Sequence, residues 1–214
     1  PSAPQSGRLR AVRIAGRGRC SGMSPRIGLD STAVLMAAVE VANAEGAAAV
    51  SISSVARKLG IRPPSLYNHV SGLDEIRAML AKYALERLYE HIVAEVGGLS
   101  GEHAVRRFAD AYLDFAHEHP GLYEAVQMAP SQEGRELQEA SGRIVALTLR
   151  YLGGFPLTEE QALHTVRGLR SLIHGFASLD RQGSFGLPLE VRDSLHFNLD
   201  LLLGGLERLG GERN

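Results

Sequence analysis

The chain has 214 residues, 44% of them apolar, with one cysteine and a formal charge of −1, enough for one large or two modest domains burying about 70% of their unfolded surface. No apolar stretch approaches the ~18 residues of a membrane span, and no continuous apolar segment near the start suggests secretion. The lone Cys20 excludes an intrachain disulfide and a cysteine-built zinc site. Ala, Leu, Arg and Glu are plentiful and alternating β-branched runs are scarce, so an all-α protein of the reducing cytoplasm is expected.

Residues 1–26 hold six arginines and no acid, in a Gly-, Pro- and Ser-rich context without apolar periodicity, and read as a disordered basic tail. The rest of the chain then carries 17 basic and 24 acidic residues, so it cannot hold a polyanion by bulk charge and must rely on local placement. Met23 followed by Ser24-Pro25-Arg26 reads as a translation start, which makes 1–22 a passive extension; the other reading is an arm laid on DNA phosphates.

A first helix is expected from Asp30 to Glu45, ending at Gly46, with Leu35, Ala38, Val39 and Ala42 on its buried face. The segment Ser51–Val70 carries the most information. Ile52, Val55, Ala56 and Leu59 fall at i, i+3, i+4 and i+7, Ser51 is a good N-cap, and Gly60 stands where a left-handed residue ends a helix. Arg62 is pushed to extended geometry by Pro63, and Pro63 at the first helical position loses no hydrogen bond. In the second helix Leu66 and Val70 face inward while Ser65, Asn68 and His69 face away. Arg57, Lys58 and Arg62 lie in the segment and no acid does. A helical hairpin in a core is the plainer reading, but the second helix is too short and too polar on one side for packing alone. The pattern is a helix-turn-helix with an acid-free reading face.

A long helix follows from near Ser71, with Asp74 and Glu75 in its first turn and an apolar stripe Leu73, Ile76, Leu80, Tyr83 and on to Ile92, until Gly97-Gly98. Starting beside the reading helix and ending far from it, it is a candidate lever. Val105, Phe108, Ala109, Tyr112 and Phe115 mark the next helix, which stops at His119-Pro120-Gly121. A short segment around Leu122–Met128, a long helix from about Gln132 to Leu152, a helix opened by the capping box Thr158–Gln161 and running to about Asp180, a loop to Pro188, and a last helix over Leu189–Leu209 complete the chain. The last two helices carry more leucine than one monomer face needs. Leu172, Phe176, Leu179, Leu195, Leu199, Leu202 and Leu206 are therefore expected at an interface with a second copy, the other reading being that both helices are central in one bundle.

Ser51–Val70 and the preceding Gly46 resemble the DNA-binding domain of TetR-type transcriptional regulators, most specifically in Leu66-Tyr67-Asn68-His69-Val70. The chain departs from the family where Arg62 replaces a common Ser or Thr cap and where Leu73 replaces a common Lys. Leu169–Asp180, with His174-Gly175, resembles the C-terminal domain of a TetR subgroup marked by Trp, His and Gly, with Arg170 near the place of the missing Trp. The resemblance implies a helix-turn-helix domain over 27–75 and a ligand-binding and dimerisation domain over 76–214. It also implies a double-stranded operator as partner and a small-molecule effector bound among the C-terminal helices.

Enzyme chemistry finds no support. There is no Glu-x-x-His or His-Glu-x-x-His spacing, no nucleophile elbow and no phosphate-cradling glycine loop, and His117 and His119 point to different faces of a helix. No metal, cofactor or catalytic residue is expected. Phe108, Tyr112, Phe115, Tyr123, Met128, Arg170, His174 and Phe176 form an aromatic set with a few polar handles, the composition of a small-molecule pocket. The expectation is a homodimeric, ligand-responsive repressor of a palindromic operator, against a helical adaptor dimer without DNA binding. Pro64, Ser65 and Asn68 are placed for base edges, and Ser51, Arg62, Tyr67 and His69 for phosphates.

Overall fold

The computed structural model describes residues 30–128 and 134–211, and every regular element among them is helical. In chain order these are α1 (Ser31–Glu45), a 3₁₀ turn (Ala47–Ala49), α2 (Ile52–Leu59), α3 (Pro63–Leu66), α4 (Leu73–Val96), α5 (Gly101–Glu118), α6 (Pro120–Gln127), α7 (Arg135–Leu152), α8 (Glu159–Arg181) and α9 (Val191–Gly211). The basic tail expected over 1–26, Cys20, and the start of the helix expected from Gln132 lie outside the described residues. No described helix is long and apolar enough to cross a membrane.

Helix starts follow from side chains that satisfy orphaned backbone N–H groups. The Asp30 carboxylate accepts from the Ala33 N–H at 2.8 Å and opens α1. At α2 the Ser51 hydroxyl accepts from the Ser54 N–H (3.1 Å) while the Ser54 hydroxyl accepts from the Ser51 N–H (2.9 Å), a capping box made by two serines. Thr158 and Gln161 close the same reciprocal pair at α8. Gly60, at φ +68°, ends α2 in the left-handed region.

The long α4 is the spine. Ile76, Leu80, Ala84, Leu88, Ile92 and Val96 are buried along it, and it packs against α1, α5, α6 and α7. One continuous apolar cluster runs from Val34 in α1 to Leu206 in α9, so α1–α3 and the C-terminal helices share a core through α4 and α6.

α9 is laid on this body by its leucine row. Leu195, Leu199, Leu203 and Leu206 are at most 5% exposed, and ionic groups flank the row: Arg192 donates to Asp110 (2.7 Å) and Asp114, His196 Nε2 lies 2.8 Å from Asp110, and Arg106 bridges Glu102 and Asp200. This corrects the expected self-association face: Leu195, Leu199 and Leu206 are buried inside the subunit. A leucine-rich helix has apolar residues on more than one face, and spacing alone does not say which face meets its own bundle. Of the expected residues, Leu172, Phe176 and Leu202 remain half-buried and Leu179 exposed, while Phe197 and Leu201 stand 63% and 61% exposed.

Candidate nucleic-acid interface and effector cleft

The reading element is held from behind. Val55 and Ala56 of α2 are buried, Leu66 and Val70 plug the same core, and the Ile61 N–H donates to the Ala56 carbonyl at 3.0 Å across the turn. Arg62, in extended geometry with no side-chain cap, precedes Pro63 and Pro64. α3 proper is one turn long, but helical bonding continues past it: the His69 and Val70 N–H groups both donate to the Leu66 carbonyl, at 2.9 and 3.1 Å. Arg62, Pro64, Ser65, Tyr67 and Asn68 are thereby left exposed on one surface, with His69 half-buried at its edge.

Two of the three basic residues are not free for a polyanion. Arg57 pairs with Glu45 (3.5 Å) and Lys58 with Glu40 (2.6 Å), both acids of α1. Among the described residues no carboxylate reaches Arg62 within ion-pair distance. The Ser51 hydroxyl is engaged in its cap, donating to the Ser54 hydroxyl while accepting from the Ser54 N–H. Its expected phosphate contact would have to compete with that cap.

Behind the reading element, α6 abuts α1 with no space between them. A Cβ built on Gly121 would meet the Ala42 carbonyl oxygen at 2.0 Å. One turn along, the Glu124 carboxylate accepts from the Ala47 N–H of the 3₁₀ turn (3.0 Å) with one oxygen and pairs with Arg181, at the end of α8, with the other. Arg181 also donates to the Pro120 carbonyl. Burial opposes ionisation of Glu124, but the Arg181 and Ala47 hydrogen bonds and the Arg181 charge outweigh it and hold the carboxyl below its ordinary pKa.

On the far side of this pair lies a cleft of about 430 Å³ between α6 and α8, lined by Tyr123, Glu124, Gln127, Met128, His174, Ser178, Arg181 and Gln182. The Tyr123 hydroxyl and His174 Nδ1 are 2.6 Å apart. Burial, then Tyr112, raises the Tyr123 pKa well above the phenol range; burial, then the Arg170 charge, lowers that of His174. Both groups are thereby held in their neutral forms, and the direction of their bond follows the tautomer of His174.

Of the eight residues expected in a pocket, the structure gathers Tyr123, Met128 and His174 at this cleft. Tyr112 stands edge-on to Tyr123 (ring centroids 6.0 Å apart) and Phe108 follows Tyr112 at 6.0 Å, so these two are buried behind the wall. The charge of Arg170 acts on Tyr112, Tyr123 and His174 although its side chain does not line the cleft. Phe115 and Phe176 correct the expected set. Phe115 turns toward His91 and His119, and Phe176 stacks on Phe185 of the α8–α9 loop at 5.6 Å, beside a separate groove. Glu124, Gln127, Ser178, Arg181 and Gln182 escaped the sequence reading, which looked for aromatics. The Pro120-Gly121 start of α6 was the available signal, since a glycine beside a helix start marks close backbone approach. His117 pairs with Asp180 at 2.8 Å, and no group of three potential metal ligands occurs among the described residues.

A helix-turn-helix with an exposed polar face, carried on a long helix that continues into an all-helical bundle, defines a helix-turn-helix transcriptional regulator. Residues 105–202 match the family model described as the tetracyclin repressor-like, C-terminal domain. Over 186 residues, 86% of this chain and 96% of the relative, the sequence is 40% identical to YobS, an uncharacterized HTH-type transcriptional regulator of Bacillus subtilis. It is 30% identical over 156 residues, 72% of each chain, to an HTH-type transcriptional regulator of Mycobacterium tuberculosis. The fold is similar to apo ActR of Streptomyces coelicolor (TM-score 0.65, 19% identity, covering 87% of this chain and 98% of that one). It is also similar to a TetR from Acinetobacter baumannii AYE (TM-score 0.61, 19% identity, 85% and 98%). The chain belongs to the TetR family of transcriptional regulators, a family of regulators rather than enzymes.

Proposed function

We propose that this regulator acts in the cytoplasm as a homodimeric repressor of a palindromic operator and releases the operator when a small molecule occupies its C-terminal helices. Residues 27–75 serve as the reading domain and 76–214 as the effector and dimerisation domain, with α4 running through the boundary. The observation that carries the reading is the exposed surface Arg62–Asn68, which has no acid and includes an arginine that no carboxylate pairs with among the described residues. In a major groove, Pro64, Ser65 and Asn68 meet base edges, while Arg62, Tyr67 and His69 hold phosphates and fix the register. Leu172, Phe176, Leu179 and Leu202, joined by Phe197 and Leu201, supply the apolar contact with the second copy. Tyr123, Met128 and His174 meet the effector, with Arg170, Tyr112 and Phe108 around them.

Selection of sites from random duplex DNA with purified protein tests this reading. The expected product is an inverted repeat whose half-site centres lie about one helical turn, ~34–36 Å, apart. Failure to enrich any duplex, or enrichment of a single unpaired half-site by a monomer, contradicts it.

A further inference from the structure

We propose that the α6–α8 cleft takes a small organic acid, whose carboxylate competes with Glu124 for Arg181 and so loosens the hold of α6 on the reading domain; this rests on the effector-responsive reading above and names its ligand class.

The cleft is rich in donors. Arg181 has five N–H groups and offers two to Glu124 and Pro120, leaving others available. Gln127 and Ser178 add neutral donors, as does Gln182, which already gives one N–H to the Ser178 hydroxyl. Among the described lining residues the one carboxylate, Glu124, already serves the Ala47 N–H and Arg181. An incoming anion therefore finds donors without a free acid to repel it, and Tyr123 and Met128 offer apolar surface to its body. A volume of about 430 Å³ lies within the ~300–1,000 Å³ range of small-molecule sites.

The consequence follows from connectivity. Glu124 is the side chain that bonds α6 to the 3₁₀ turn leading into α2, and Arg181 is its cation. Arg181 Nη2 is the atom that holds Glu124, and a ligand carboxylate displaces Glu124 when it takes that N–H rather than only the remaining ones. When a ligand carboxylate takes that N–H, Glu124 is left as a partly buried acid without its cation and turns toward solvent, away from Ala47. Gly121 and Ala42 are then in van der Waals contact without the polar tie that fixes their register.

The test uses the full chain with sodium benzoate and sodium hexanoate as probes, benzamide and hexanamide as neutral matches, and inorganic phosphate at equal ionic strength. Binding is followed by calorimetry and amide hydrogen exchange. Both acids should bind in the millimolar range and raise the exchange rate at Ala47. Arg181→Gln should weaken them by at least about tenfold, the factor carried by one charge-assisted hydrogen bond. Glu124→Gln removes the competitor and keeps an oxygen for Ala47, so it should bind the acids several-fold more tightly, and Arg181→Lys should recover part of the loss. Absence of binding by both acids, equal binding by the amides or by phosphate, or unchanged affinity in Arg181→Gln overturns the site. Binding without faster exchange at Ala47 overturns the coupling. If Arg181-dependent binding and loosening both occur while affinity for a selected duplex is unaltered, the inference stands and the effector-responsive reading fails instead.

Discussion

Arg62 is the N-cap residue of α3, yet it makes no side-chain capping bond, and among the described residues no carboxylate pairs with it. Such a cation at the entry of the helix suits the phosphate contact proposed for it. Arg62→Ala should flatten the plot of log affinity against log salt by about 0.9 for each subunit bound; an unchanged slope with relaxed base preference would make Arg62 a base reader. His174 allows a second prediction at this scale. Burial and then Arg170 hold its pKa below the ordinary value of about 6.5, so protons favour the unfolded chain. Its contribution to stability is complete above about pH 6.5 and is lost as pH falls through that value toward the lower folded pKa. Denaturant titrations from about pH 7.5 down to about pH 5 should therefore show wild type losing more stability than His174→Gln. Equal losses would mean that His174 does not titrate as placed. The exposure of Arg62, Ser65 and Asn68 was legible because neighbours in sequence fix it: Ser51, Gly60, Pro63 and Leu66 set the local geometry. Glu124 and Arg181 were not, because their meaning arises only when α6, α8 and the turn after α1 converge.

Element ends were the most readable feature, since Asp30, Ser51 and Thr158 each open a helix by a bond to the third residue after them. Ala47–Ala49 carries no such signal and its tight turn is visible only in the fold. The face that α9 buries was misread for a related reason: Leu195 and Leu199 differ from Leu201 by their place on the helix circumference, not by type. Two glycines test the account at this scale. Gly121→Ala would drive a methyl against the Ala42 backbone, an overpacking that should cost roughly 1–3 kcal/mol. That corresponds to a fall in Tm from a few degrees to about ten. Gly142, inside α7 with nothing within 4 Å of an added Cβ, should instead gain about 0.5–1 kcal/mol on replacement by Ala, because only backbone entropy changes. Thermal melts that rank the two variants the other way would dismiss the close contact of α6 and α1.

At the level of the molecule, α4 and α6 carry the main contacts between α1–α3 and the C-terminal helices among the described residues, and one apolar cluster runs through them. In the proposed dimer the exposed Phe197 and Leu201 on the outer face of α9 meet the partner. Leu201→Glu should yield a folded monomer in sedimentation, whereas Leu199→Ala, fully buried, should stay dimeric and lose about 2–5 kcal/mol of stability. A dimeric Leu201→Glu would take the outer face of α9 out of the interface. The central claim is that the surface from Arg62 to His69 is what meets DNA. Amide hydrogen exchange on the protein with and without a duplex selected from a random pool tests it most directly. The account predicts new protection over Ser51–Val70, deepest at Ser65–His69. Protection confined to α5–α9, with exchange over Ser51–Val70 unchanged, would contradict it.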